Sequence, residues 1–384
     1  MSDYRVIIIG GGASGLFLHS LVPSSLLVEK NSVCGVKLLI TGNGSCNITH
    51  DEDSASLCTH YYEKRSFVTP ALYAFPPSAV REYFSSLGVG TYSRSDGKVF
   101  PVTDKSSDVR DALLGNGRNI LNEAEVKRVA KDGDLFTVET TKGTFYSTFL
   151  VIATGGVTYP KTGSTGDGYA FARDFGHTVI PPRPALSSLS IGMDTSALEG
   201  VSLDSVTLSA GKKKETGPVV FTRHGIGGPA AQNISHWIEG ETELRISFLP
   251  SFDISAVKRE NGKTGIITAL RRLTALPHSL LLFLFDSTKD KNTASITKEE
   301  LLSIEEKMTR LTVTARTDGV KRAMVTTGGV DTREIDAKTM ESKIVPGLYF
   351  TGEVLDVDGE CGGYNLTFAF ASAFLASKDI RKRS

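Results

Sequence analysis

The chain has 384 residues, enough for two or three domains, each with a proper core. It is 40% hydrophobic and 22% charged, the balance of an ordinary globular protein, and 43 basic residues offset 43 acidic ones. With zero formal charge there is no global field to draw in nucleic acid or an anionic membrane. The longest apolar run, residues 280–285, is too short to span a bilayer. No leader is expected, because the first strand starts almost at Met1. Cys34, Cys46, Cys58 and Cys361 show neither C-x-x-C spacing nor a paired framework, which predicts a reducing, cytoplasmic setting. The seven histidines have no metal-ligand spacing, so no metal is expected.

In chain order, a β-branched strand over residues 4–9 runs into Gly10-Gly11-Gly12-Ala13-Ser14-Gly15 and then a helix. The turn fits G-x-G-x-x-G. Gly10 allows the tight turn, Gly12 lets a pyrophosphate approach the backbone, and Gly15 lets helix pack on strand. The helix N-terminus offers unpaired N–H groups and partial positive charge to phosphates. A second strand over 25–28 ends at Glu29, about twenty residues after the first glycine, where a carboxylate meets ribose hydroxyls. Together these predict a bound dinucleotide; a purely structural glycine turn is the alternative.

Residues 35–47 form a glycine- and asparagine-rich loop suited to close approach of a ligand. Residues 51–120 read as mainly helical, with helices near 77–87 and 107–114. An antiparallel meander over 123–129, 135–140 and 144–145 precedes a buried strand over 149–153 and Thr154-Gly155-Gly156. The prolines at 181–184 suit a domain crossover. A β-rich stretch follows, with strands expected at 188–191, 205–210, 217–221 and 243–248, and Pro229 as a first helical residue. Residues 253–310 read as helical, including 264–273 and 298–309. Gly262-Lys263-Thr264 is not a P-loop, since Val257 stands where that motif needs glycine. The last stretch returns to α/β character, with a strand at 347–350, helix 366–375 and a solvated basic tail from Arg381. The α/β unit thus has its partner at the far end of the chain, with a domain inserted between. The expected boundaries are 1–186, 187–252 (β-rich), 253–312 (small helical) and 313–384.

Four segments carry a resemblance to a known family: LLITGNGSCNIT at 38–49, ATGGVTYPKTGSTGDG at 153–168, FTRHGIGGPAAQNIS at 221–235, and 325–365 with TMESKIVPGLYFTGEVLDVDGECGGYN. The chain resembles the BaiN and aminoacetone-oxidase-like group of bacterial FAD-dependent oxidoreductases over nearly its whole length. The resemblance implies a Rossmann-like, glutathione-reductase-like FAD domain interrupted by a β-rich and a small helical domain. It implies that Gly10, Gly12, Ala13, Ser14 and Gly15 hold the FAD pyrophosphate and Glu29, with Lys30 and Val126 nearby, the adenosine. Lys37, Thr41, Gly42, Asn43, Gly44, Cys46 and Asn47 run beside the cofactor. Thr154, Gly155 and Gly156 make a second strand-end contact, while Gly352, Glu353 and Asp356 approach the ribityl chain and pyrophosphate. Gly362, Gly363, Tyr364 and Asn365 turn amides toward the isoalloxazine pyrimidine, where a helix N-terminus stabilises reduced flavin by roughly 0.3–2 kcal/mol. Ser45 stands where the family usually has arginine; if that arginine touches a phosphate, one charge-assisted bond is missing here and FAD retention is expected to be weaker.

The activity implied is hydride transfer between flavin N5 and a small organic substrate, with NAD(P)H or oxygen as the other redox partner. No second strand-preceded G-x-G-x-x-G is evident, so NAD(P)H would dock transiently rather than in its own domain. Tyr159 and Thr162, and Arg223 and His224, are the candidate catalytic residues, with ordinary loop hydrogen bonding as the alternative. A thiol–flavin relay through Cys46 and Cys361 competes with their being small buried residues. An RNA-modifying flavoprotein is a second reading, and it needs a basic groove that the balanced charge argues against. A non-catalytic flavin-binding protein is a third, against which the inserted domain counts, because it would cover the flavin.

Overall fold

The computed structural model describes residues 3–115 and 118–383. They form two compact units. One comprises the N-terminal stretch through Arg183 together with the chain from Met324 onward, and the other is Pro184–Ala323.

The first unit is built on the strand Tyr4–Ile9, in which Val6, Ile7 and Ile8 are fully buried. Each such side chain stabilises the fold by about 1.5–3 kcal/mol. The strand pairs in parallel with Leu26–Val28 on one side and Gly143–Ile152 on the other. Ile120–Leu121 extends the sheet past Leu26–Val28, and Leu348–Phe350 joins Gly143–Ile152, both in parallel. The chain therefore leaves Tyr4–Ile9 toward opposite sides, and the C-terminal end of that strand is the switch point at which such sheets bind ligands.

The expected meander is present as Val126–Asp132, Leu135–Thr140 and Gly143–Ile152. Its third strand and the buried strand expected at 149–153 are one ten-residue element. Its first half is largely exposed and its last four residues are buried, so the polarity change marks entry into the sheet rather than a break. The short strands Thr91–Ser93 and Lys98–Pro101 lie in the stretch read as helical; they pair with each other, and Lys98–Pro101 pairs also with Thr49–His50.

The final helix is Tyr364–Lys382, longer at both ends than the expected 366–375. Arg381 and Lys382 belong to its last turn rather than to a tail, where cations favour the helix C-terminus. Its small residues let it lie closely on Ala13–Leu21, with the Phe17 and Phe370 rings 5.3 Å apart. Ser372 caps the Gly352 amide at 3.0 Å, and Tyr349 donates to Asp379 at 2.7 Å. The helix thus runs from beyond the C-terminal edge of the sheet back along it, and its first turn projects past that edge.

The second unit is a closed antiparallel barrel of six strands, in the order Leu189–Ile191, Gly225–Gly227, Lys213–Thr222, Ser202–Ala210, Thr242–Ser247 and Leu311–Thr317. Leu311–Thr317 pairs with both Thr242–Ser247 and Leu189–Ile191 to close it. Two expected boundaries are corrected here, while the crossover expected at 181–184 is where the units part, between Arg183 and Pro184. The return expected at 313 falls inside that closing strand, and the first unit resumes at Met324. The helices Ile266–Thr274, His278–Leu284 and Lys298–Arg310 are not a separate domain: Leu270 and Leu281 share one core with the barrel's Leu208 and Leu244. The prolines at 181–184 lie in a strand, Val179–Ala185, which pairs with Val325–Val330. That two-stranded ribbon lets proline occupy positions a central strand would refuse. The helix Lys298–Arg310 opens with a reciprocal capping box between Thr297 and Glu300. Among the described residues no helix is long and apolar enough to cross a membrane.

Candidate cofactor site

The site grows from the glycine turn at the switch point. Gly10 has φ +106°, and a Cβ there would come within 2.6 Å of the Ala153 carbonyl oxygen. A Cβ on Gly15 would overlap the Gly10 carbonyl, so this glycine is required by helix–strand packing. Gly12 is different: nothing lies within 4 Å of a Cβ built on it. The protein itself does not need glycine at that position, and the open ground beside the helix N-terminus suits a ligand that approaches the backbone. Ser14 is buried and donates to the Thr351 carbonyl at 3.3 Å, joining the turn to the end of Leu348–Phe350.

Glu29 ends its strand with a buried carboxylate. One oxygen accepts the Gly11 amide at 2.7 Å and the other the Asn31 amide at 2.8 Å. A carboxylate offers about four acceptor positions, so capacity for ribose hydroxyls is left over. The Ala124 amide reaches the Glu29 carbonyl at 2.9 Å, which brings the start of Val126–Asp132, and so Val126, to this end of the sheet. Lys30 pairs with Asp167 at 2.6 Å and also bonds Thr165.

Lys37 and Glu353 face one another. Lys37 Nζ lies 2.8 Å from Glu353 Oε2 and 2.8 Å from Thr158 Oγ1, and Glu353 Oε1 also accepts the Thr326 amide at 2.8 Å. Both side chains are 21% exposed. The two residues expected beside the cofactor are thus engaged with each other, tying Val36–Leu39, the 154–158 loop and Val325–Val330 together. Asp356 is paired with Lys64. A Cβ on Gly156 would come 2.9 Å from Glu353 Oε1, so this glycine serves packing.

Thr41–Gly44 is a short 3-10 turn in which Gly42 and Asn43 are both left-handed, and Cys46 follows with φ +59°. Half-buried Ser45 donates its amide to Gly42 at 3.1 Å. The turn delivers Asn47 to the start of the final helix: Asn47 Oδ1 is 3.0 Å from a Cβ built on Gly363. A side chain at Gly363, which has φ +97°, would also press on the Thr49 carbonyl at 2.7 Å. Asn365 spends its side chain on Gly359, accepting its amide at 2.9 Å and donating to its carbonyl at 2.8 Å, and so closes the loop that carries Gly362. The amides of Tyr364, Asn365 and Leu366 form the first turn, where no partner exists within the helix.

Among the described residues, the buried oxygens Asn47 Oδ1, Thr154 Oγ1 and Thr351 Oγ1 and the Tyr169 hydroxyl have no hydrogen-bond partner. An unsatisfied buried polar atom costs about 1–3 kcal/mol. Those oxygens, the space over Gly12 and the acceptor capacity of Glu29 together fit an extended dinucleotide cofactor.

The candidate catalytic residues fall in different places. Tyr159 is left-handed at φ +52°, Thr162 spends its hydroxyl on the Tyr159 carbonyl at 2.8 Å, and Asn31 holds the Thr162 carbonyl at 3.0 Å. That loop is fastened to the Glu29 end of the sheet. Arg223 and His224 are exposed on a barrel turn in the second unit. Near them the Asp194 carboxyl is held below its usual range, first by the Ser196 amide and hydroxyl, then by His224 and Arg223. The thiols are not primed: burial pushes Cys46 up to about 12 and raises Cys361 as well, which works against a thiolate relay. Among the described residues no group of three or more His, Cys, Asp or Glu is arranged to hold a metal.

Sequence reasoning missed a cluster at the start of the final helix. The Tyr364 ring stacks with His60, at 4.2 Å, and with His50, at 5.1 Å. His60 faces Glu360 at 2.8 Å and Glu52 at 3.6 Å. It also missed Tyr169, whose buried hydroxyl is unpartnered. The only cue to the first was the placement of Glu360 inside the 325–365 signature.

Residues 4–379 match the family described as HI0933-like protein Rossmann domain. The 3-dehydro-bile acid delta(4,6)-reductase of Clostridium scindens is 33% identical, with 99% of each chain covered. A ribosomal RNA dihydrouridine synthase of Haemophilus influenzae is 32% identical, with 100% of each covered. Among solved structures, 3-ketosteroid delta1-dehydrogenase from Sterolibacterium denitrificans, in complex with 1,4-androstadiene-3,17-dione, shares the fold. Its TM-score is 0.54 at 12% identity, covering 99% of this chain and 100% of that one.

Proposed function

The chain belongs to the HI0933-like Rossmann family of flavin oxidoreductases, and from that premise we propose that it holds FAD and reduces a carbon–carbon double bond conjugated with a carbonyl group. The observation that carries the reading is the cradle at the switch point, where the turn leaves open ground over Gly12 and Glu29 closes its flank.

Flavin, when bound, supplies hydride chemistry at N5. This chain's residues do the rest. The turn from Gly10 to Gly15 and the N-terminus of Ala13–Leu21 hold the pyrophosphate. Glu29 accepts the adenosine ribose hydroxyls. The first-turn amides of Tyr364–Lys382 favour negative charge on the cofactor's pyrimidine edge, and Gly363 lets them approach. Cys46 and Cys361 stay neutral and serve as packing.

The substrate class follows from what the two curated relatives' names share. A 3-dehydro-bile acid delta(4,6)-reductase acts on double bonds near a ring ketone, and making dihydrouridine from uridine adds hydrogen across a ring double bond beside a carbonyl. In both, the carbonyl polarises the alkene, so hydride adds at the far carbon and a proton at the near one. We infer a small-molecule substrate, with NAD(P)H docking transiently as reductant. The even charge balance supports a free ring substrate over a polyanion. The full-length likeness to the ribosomal RNA enzyme favours a second reading, in which the ring is a uracil in RNA.

The test is an absorbance spectrum of the FAD-loaded protein, followed anaerobically by NADH and then NADPH. Bleaching by either, with recolouring on addition of a cyclic enone, is the expected result. Recolouring only with ribosomal RNA would select the second reading. Bands that stay oxidised with both nucleotides but bleach with a small amine would overturn reduction in favour of an amine oxidase.

A further inference from the structure

The side-chain cluster around Tyr364 is built into the turn that opens the final helix, the same turn whose amides face the cofactor in the reading above. Tyr364 is that helix's first residue, and Asn47, with its unpartnered Oδ1, abuts the preceding Gly363. His60 is tied to the same turn twice: its Nδ1 lies 2.8 Å from Glu360 Oε2, and its carbonyl accepts the Glu360 amide at 3.0 Å. Its Nε2 faces Glu52 Oε2 at 3.6 Å, and its ring lies on Tyr364 at 4.2 Å.

A neutral imidazole can donate from one nitrogen only, and a carboxylate can only accept. A ring with a carboxylate at each nitrogen is therefore a site built for imidazolium. The titratable groups that face it are Glu52 from the segment after Thr49–His50, Glu360 from the loop before the helix, and Tyr364 from the helix itself. The His50 ring also stacks on Tyr364, at 5.1 Å, and its Nδ1 donates to the Gly362 carbonyl, 3.0 Å away. Burial opposes the charged form of His60, but the two carboxylates outweigh it and its pKa is raised. The His60 side chain is 27% exposed, which leaves solvent a route for protons.

We propose that His60 is a redox-linked proton site, which binds a proton from solvent more tightly when the flavin at this helix N-terminus is reduced. The inference rests on the functional reading above. Bound flavin would take one negative charge with the hydride that NAD(P)H supplies. A solvent proton then binds at His60 Nε2, against Glu52, while Nδ1–H stays on Glu360. No bond within the protein breaks. Linkage makes the effect reciprocal, so a reduced cofactor that raises the proton affinity of His60 is itself favoured by protonated His60.

The experiment follows histidine ring resonances by NMR through a pH titration of the FAD-loaded protein, oxidised and then reduced anaerobically with dithionite. The His60 signal is assigned by its loss in His60→Gln. If that variant does not fold, Glu360→Gln assigns the signal by lowering its midpoint. The expected result is proton binding at His60 at least about fivefold tighter in the reduced protein. A pH-dependent inflection in the flavin potential should accompany it and vanish in His60→Gln. An identical His60 midpoint in both redox states overturns the inference and leaves the functional reading intact. A protein that takes up no FAD overturns both.

Discussion

Gly11 donates its amide to Glu29 Oε2 at 2.7 Å, so the middle of the glycine turn and the end of the second strand are one hydrogen-bonded unit. Glu29 therefore has two jobs in the proposed site. It shapes the turn through Gly11 and Asn31, and its remaining lone pairs receive a ribose. Glu29→Gln can keep only one of those amide acceptors and turns an NH2 group against the other amide. It should destabilise the fold by about 1–3 kcal/mol and weaken FAD retention. Denaturant unfolding with and without FAD checks it, and a variant as stable as the parent would refute the double role.

Gly12→Ala and Gly15→Ala should part company. The first adds a methyl group to open ground and should leave the unfolding midpoint unchanged while lowering FAD affinity. The second overlaps the Gly10 carbonyl and should cost about 1–3 kcal/mol even without cofactor. Thermal melts beside flavin retention after gel filtration separate them. Equal retention by Gly12→Ala and the parent would argue that no cofactor lies over that position.

Lys37 and Glu353 should behave as a coupled pair. Lys37→Met leaves a half-buried carboxylate with only neutral donors, and Glu353→Gln leaves an ammonium without its counter-charge. Each single change should cost on the order of 1–3 kcal/mol, and the double variant clearly less than their sum. Additive costs in a double-mutant cycle would show that the pair is not coupled.

Acid should loosen the first unit before its carboxylates titrate. His19 is held between Ser25 and the Arg118 carbonyl, His177 between Glu334 and Ser342, and burial lowers the pKa of both. The unfolded chain binds those protons from the ordinary value of 6.5 downward while the folded protein resists them, so stability falls as pH drops below 6.5. His60 runs the other way. Its raised pKa gives stability fully present below 6.5 and lost as pH climbs through the folded value. His177→Gln should flatten the acid limb, and His60→Gln should flatten the loss on the alkaline side. Urea midpoints at closely spaced pH values check both, and an unchanged acid limb in His177→Gln would count against burial as its cause.

The thiols should be slow to alkylate. Cys34 and Cys46 are buried with pKa values pushed up to about 12. Iodoacetamide at neutral pH should label them only after unfolding, and reduction of the flavin should be unaffected by the reagent. Rapid labelling of native Cys46 would revive a thiol role.

The parts of the site that lay open to sequence reasoning are those in which local spacing is itself the chemistry. The turn from Gly10 to Gly15 and Glu29 are close along the chain, and one βαβ unit fixes their geometry. The strand endings at Thr154 and Gly352 are legible because an apolar run stops at glycine. What stayed hidden depends on residues far apart along the chain. Lys37 meets Glu353 only because Leu348–Phe350 joins the sheet beside Gly143–Ile152, and His60 meets Glu360 across about 300 residues of chain. No periodicity encodes such a meeting. The missed domain boundary has a similar origin. Leu311–Thr317 alternates like any half-buried strand, and only pairing with Leu189–Ile191 and Thr242–Ser247 assigns it to the barrel.

The way the chain nests one unit inside the other sets an order for synthesis. Pro184–Ala323 is continuous, so its barrel and helices can close as soon as they leave the ribosome. The earlier half must wait. Until Leu348–Phe350 and Tyr364–Lys382 are made, Phe17 and the flank of Gly143–Ile152 lack their covers. A nascent chain halted near residue 323 would carry a finished barrel beside an apolar sheet that invites chaperones, and no place for a cofactor to be kept.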